Sequence, residues 1–137
     1  MIIKTTKTAL LLFCINWVVF SGCSSKTEPR TEPLPSLTWA QGCVELAPDQ
    51  GTYRLTGLCC TSISFPSINL NKNRTFSVTA TYFTFNGAGF INFPVVVNGD
   101  LSPDESTLIL NYSINSTLTS HTLKLGQPKV SCDCGCD

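Results

Sequence analysis

From residue 51 onward, apolar and polar positions alternate with a period of two. Tyr53 and Leu55 share one face of a short segment after Gly51. Ile63 and Phe65 share another, and Ile68 and Leu70 follow beyond Pro66. Phe76, Val78, Ala80 and Tyr82 alternate with Ser77, Thr79 and Thr81. Ile91, Phe93, Val95 and Val97 lie on one side of a denser run that starts at Phe90. Leu108, Leu110, Tyr112 and Ile114 form the next stripe, and in the last one Leu123 and Leu125 share a face with His121. Side chains along a strand point to opposite faces in turn, so this pattern predicts strands. No long segment carries a helical stripe. Turn-forming clusters separate the runs: Asn71-Lys72-Asn73, Asn86-Gly87-Ala88-Gly89, Asn98-Gly99-Asp100 and Ser102-Pro103-Asp104-Glu105. The expectation is an all-β domain, a small antiparallel meander of about six to eight strands, closed as a barrel or folded as a sandwich. Pro66 and Pro94 belong at edges or bulges, because proline cannot donate to a ladder.

The N-terminal region has a different pattern. Lys4 and Lys7 precede an apolar run, Ala9 to Phe20, interrupted only by Asn16. That run is too short to cross a bilayer, which takes about 20 residues, and it has the length of a signal-peptide core. It ends in Phe20-Ser21-Gly22-Cys23. This stretch resembles the lipidation box of bacterial lipoproteins, with Phe20 where Leu is usual. The resemblance implies that residues 1–22 are a signal peptide and that Cys23 carries the acyl chains and becomes the new N-terminus. Ser24 in place of Asp implies the outer membrane, and Lys26-Thr27-Glu28 resembles the surface-export tags of some Bacteroidetes lipoproteins. Plain secretion, with cleavage near Gly22 or Ser25, is the alternative. Two or more acyl chains hold a protein stably on a bilayer, at about 0.8 kcal/mol per buried methylene. Residues 23–37 repeat Thr-Glu-Pro and hold Pro29, Pro33 and Pro35. They read as a polyproline-like tether that reaches roughly 40 Å at about 3.1 Å per residue. Residues 38–137 then form one β domain with a cysteine-rich tail.

From Cys23 onward the chain has seven basic and nine acidic residues, a net charge of −2. There is no basic cluster, so nothing favours nucleic acid. A domain of this size buries a modest core, and covalent staples add to it. With Cys14 in the signal and Cys23 lipidated, six cysteines remain: Cys43, Cys59, Cys60, Cys132, Cys134 and Cys136. An even number in an exported chain predicts disulfides. Bonds between neighbours Cys59 and Cys60, or within the tail, would close tight rings. The remaining solutions tie Cys43, Cys59 and Cys60 to the three tail cysteines, one each, in an order the sequence leaves open. The competing reading is thiolate binding of Cu(I) or Zn by the tail with Cys59-Cys60, although the usual Cys-x-x-Cys spacing is missing.

Gly51-Thr52-Tyr53-Arg54-Leu55 resembles the Gly-x-Trp start of lipocalin-like lipoproteins, with Tyr53 in place of Trp. Ile68-Asn69-Leu70 with Thr75-Phe76, and Gly99-Asp100-Leu101-Ser102 with Leu108 to Tyr112, extend that resemblance over residues 49–126. It implies a barrel that carries a small apolar ligand, with Phe83, Phe90 and Phe93 as candidate cavity residues. Catalytic signals are missing. His121 is the only histidine and has no sequence partner. Asp104 and Glu105 are neighbours in a turn and not a converging pair, and no phosphate loop or nucleophile elbow occurs. Asn73, Asn111 and Asn115 open glycosylation sequons that matter only in a eukaryotic secretory route. The sequence therefore points to a non-enzymatic, lipid-anchored envelope protein without metal or cofactor, which binds an unidentified protein or small apolar ligand.

Overall fold

The period-two segments pair with their neighbours in chain order and close on themselves. A computed structural model describes residues 31–135. It contains β1 (Glu32–Pro33), β2 (Trp39–Gln41), β3 (Val44–Asp49), β4 (Thr52–Thr56), β5 (Thr61–Phe65), β6 (Asn69–Leu70), β7 (Thr75–Phe85), β8 (Phe90–Leu101), β9 (Thr107–Ile114) and β10 (Thr117–Leu125). Eight of these strands form a closed antiparallel barrel in the order β10-β2-β3-β4-β5-β7-β8-β9. The domain is thus all-β, and the choice between sandwich and barrel falls to the barrel. β1 and β6 make a separate two-stranded sheet. Cys23 and the rest of residues 1–30 lie outside the described residues, as does Cys136.

Inward positions make one core. Trp39, Leu46, Leu55, Ile63, Val97, Leu108, Leu110 and Leu123 are fully buried, and among the described residues no charged or polar residue is buried with them. An eight-stranded barrel has an interior just wide enough for side chains to fill or for one small ligand. Here large aliphatic and aromatic groups from all eight strands meet in it.

The two ends of the barrel differ. One end gathers the 41–44 turn, the 57–60 loop, the Asn86–Gly89 turn and the 115–116 turn. The other is closed by the β1/β6 sheet, with Leu34, Ile68 and Leu70 buried, and by the 102–106 loop. Trp39 fixes that loop, since its Nε1 donates to the Glu105 carbonyl at 3.1 Å. Arg74 adds an ion pair to Glu105 at 2.9 Å.

Three sequence expectations need correction. Residues 32–37 do not belong to a free tether. β1 pairs with β6, Leu34 is buried, and the Tyr53 hydroxyl donates to the carbonyls of Leu34 and Pro35 at 3.1 and 2.6 Å. Asn98-Gly99-Asp100 is not a turn but the interior of β8, paired to β7 and β9. Gly99 is there because the Phe76 ring lies across it, in the space a Cβ would take. β2 and β3 were not anticipated at all. By contrast, Pro66 lies between strands, and Pro94 sits where β8 extends past β9, whose ladder starts only at Val97. Its missing N–H therefore leaves no gap in that ladder.

Candidate functional site

The cysteines converge on the end of the barrel opposite β1/β6. Cys43, in the β2–β3 turn, is bonded to Cys132, and Cys59, between β4 and β5, is bonded to Cys134. The Cα separations, 5.3 and 5.1 Å, are in the usual disulfide range. Cys60 is also disulfide-bonded. The one-to-one tie between early and tail cysteines thus holds for both pairs described, and the order left open by the sequence is 43 to 132 and 59 to 134. After β10 the tail turns back over the β10–β2 seam, and the cross-links fasten it across the barrel end. Only Lys124↔Ala40 and Leu125↔Trp39 pair across that seam. The tail therefore covers the thinnest part of the wall.

The backbone at this cap is unusual. Cys59 and Cys60 both have left-handed φ, at 47° and 58°. Such values are uncommon outside glycine, and two in succession turn the adjacent sulfurs toward the tail. Gly57, at φ 77°, lies so close to Cys43 that a Cβ would overlap its carbonyl oxygen. The Sγ atoms of Cys43 and Cys132 stand 3.8 and 3.0 Å from the Gly57 carbonyl oxygen.

Three sulfurs, those of Cys59, Cys132 and Cys134, lie within 4.8 Å of one another. That spacing would suit a soft ion bound by thiolates. All three belong to disulfides, however, and a disulfide sulfur has no thiolate charge with which to bind it.

The aromatic candidates separate. β7 and β8 pair Phe83 with Asn92 and Tyr82 with Phe93. Parity then puts Phe83 and Phe90 on the outer wall and Phe93 on the inner face, where its ring lies 5.0 Å from that of Tyr82. Phe83 and Phe90 line an open recess of about 330 Å³ with Arg54, Cys60, Thr61 and Ser62. Phe93 is not part of that lining, so the three rings do not enclose one space.

His121 points inward. Its Nε2 is 3.0 Å from the Tyr112 hydroxyl, and the rings stack 5.7 Å apart. Burial pushes the His121 pKa below its ordinary value. The Tyr112 phenol is pushed up to about 12, first by burial and then by the charge of Tyr82. The pair is a neutral imidazole beside a neutral phenol, and no serine or cysteine among the described residues is hydrogen-bonded to it. Tyr112 was visible in the sequence only as one more apolar position in its stripe. Asp104 lies in the 102–106 loop, where the hydroxyls of Ser102 and Ser106 donate to its Oδ1 at 2.6 and 2.9 Å. These bonds, with a third from the Ser106 N–H, hold its carboxyl down at about 2. Its hydrogen bonds are those of a loop-fixing residue.

Fold and cap together define an up-and-down, eight-stranded β-barrel with a disulfide-fastened tail. No known protein family, curated protein or solved structure matches the chain.

Proposed function

We propose that this chain is a non-enzymatic envelope lipoprotein, anchored through acyl chains on Cys23, whose barrel serves as a binding module. The observation that carries this reading is Phe20-Ser21-Gly22-Cys23 at the end of a short apolar run. The disulfide-fastened cap supports it, because such bonds persist in oxidising compartments outside the cytoplasm. Glu32, Pro33 and Leu34 belong to the domain, so the tether of this reading is shorter than the proline pattern suggests. Because β1 lies at the end opposite the cysteine cap, that end faces the bilayer and the cap faces away. The outer wall of the barrel is then the surface open to partners. By resemblance the membrane is the outer membrane.

Intact mass of the natively expressed protein tests the anchor. A chain starting at Cys23 with acyl mass added is expected. A chain starting at Ser24 or later without acyl chains would refute it. The same spectrum reads the oxidation state of the remaining six cysteines. Thiolate metal binding is the second reading, favoured by the three sulfurs within 4.8 Å of one another. It requires the reduced cap, and six titratable thiols in the native protein would favour it over the disulfide cap.

A further inference from the structure

The longest strands present an outer wall without charge. From Thr75 to Gly99, and again from Ser106 to Leu123, there is no Asp, Glu, Lys or Arg. The charged residues of these strands, Asp100 in β8 and Lys124 in β10, lie at the end closed by the β1/β6 sheet and the 102–106 loop. His121 is turned inward to Tyr112. In place of charge the wall exposes apolar groups: Phe90 at 69%, Val96 at 54% and Leu118 at 70%.

Between Val96 and Leu118 lies a recess of about 380 Å³. Its outward side chains are Pro94, Val96, Asn98, Asn111, Ser113 and Leu118. Asn98 and Asn111 face each other directly across the β8–β9 ladder. The turn asparagines behave differently. Asn71 Oδ1 accepts from the N–H groups of Asn73 and Thr75, and Asn86 Oδ1 from those of Ala88 and Gly89. No such bond engages the side chains of Asn98 and Asn111 among the described residues. Two adjacent amides supply two carbonyl acceptors and four N–H donors in one place.

We infer that this recess binds a neutral oligosaccharide. Such a ligand carries hydroxyls that both donate and accept, so it matches paired amides. It also has C–H faces that pack on Pro94, Val96 and Leu118. It brings no charge, and the wall offers none. A protein partner fits less well, since protein interfaces concentrate Tyr, Trp and Arg at their centres, and none of these faces outward here. This inference rests on the proposed orientation, which leaves the wall open to solvent, and it names the ligand class of the module.

The test is electrophoresis of the full chain, in a detergent without sugar groups, through native gels cast with xyloglucan, glucomannan or dextran. Alginate serves as the acidic control. Retardation by at least one neutral polysaccharide and none by alginate is expected. Asn98→Ala and Asn111→Ala should each weaken it at least fivefold, and Lys72→Ala, in a distant turn, should leave it unchanged. Asn98→Asp keeps the shape of an exposed side chain and should also weaken binding, which covers the case in which Asn111→Ala fails to fold. No retardation by any neutral polysaccharide, or full retardation in both alanine variants, would overturn the inference. So would a dimer in sedimentation that Leu118→Ser dissociates, because the wall would then be a contact between copies. Binding is read whether or not Cys23 is acylated, so it can fail independently of the anchor.

Discussion

Gly57 packs face to face against the backbone of Cys43, and a Cβ at position 57 would stand 2.8 Å from the Cys43 carbonyl carbon and 2.9 Å from the Val44 Cα. This contact lets the 57–60 loop sit against the β2–β3 turn, and so lets both early cysteine sites meet the tail. Gly57→Ala adds a methyl group against rigid backbone at a left-handed φ. It should cost at least about 2 kcal/mol, outweighing the roughly 0.4–1 kcal/mol that restricting the unfolded chain would return. Urea unfolding with the disulfides intact measures it, and a change under about 0.5 kcal/mol would show that the loop yields.

The Cys43–Cys132 bond spans 89 residues of sequence. Closing so long a loop restricts the unfolded chain, and the double substitution Cys43→Ser with Cys132→Ser should lower stability by about 2–4 kcal/mol. Because the cross-link fastens the tail over the β10–β2 seam, the same variant should gain hydrogen exchange in β2 and β10 before the rest of the barrel. Uniform loss of protection would contradict that account of the tail.

Cys60 is disulfide-bonded, and the two described pairs run in parallel order, 43 to 132 and 59 to 134. That order leaves Cys136 for Cys60. Peptide mapping of the unreduced protein should yield Cys43–Cys132 separately from a fragment that joins Cys59-Cys60 to the tail through two bonds. A peptide linking Cys60 to Cys132 would exclude this arrangement.

Trp39 is fully buried, and its indole N–H reaches the Glu105 carbonyl 66 residues away. Trp39→Phe keeps much of the apolar volume but leaves that carbonyl without its donor and a gap beside it. The loss should be about 1–3 kcal/mol by thermal or denaturant unfolding. The 102–106 loop should become more open to proteolysis.

His121 makes stability depend on pH. Its pKa is lower in the fold than in the unfolded chain because burial disfavours the imidazolium. As pH falls below about 6.5, the unfolded chain takes up the proton first, so stability should fall with it. The melting temperature should therefore drop between pH 7 and 5, and His121→Gln should flatten that slope. An unchanged slope in the variant would assign the effect to other groups.

Much of the barrel was legible because burial on one face imposes alternation. The stripes at 53–55, 63–65, 76–82, 91–97, 108–114 and 121–125 all lie in strands. β2 escaped notice because three residues hold a single alternation, and β3 because Ala47 and Pro48 interrupt its pattern. Leu34 was hidden among prolines, which suit both a tether and a short edge strand. Asn98-Gly99-Asp100 has the composition of a turn, and only the ring of Phe76, twenty-three residues earlier, explains the glycine within a strand.

The candidate sites were less legible, since each depends on pairing between segments. Register decided that Phe83 and Phe93 face opposite sides of one hairpin, that Tyr112 meets His121, and that Asn98 lies opposite Asn111. The sequence by itself determined the all-β class, the expectation of disulfides between early and tail cysteines, and the resemblance to a lipidation signal at Cys23. Those follow from local periodicity, from composition and from a contiguous motif. Tertiary structure alone decided barrel over sandwich, the order of the cysteine pairs and which side chains share a surface. Closure, pairing order and facing depend on contacts between residues far apart in the chain, and no local pattern encodes them.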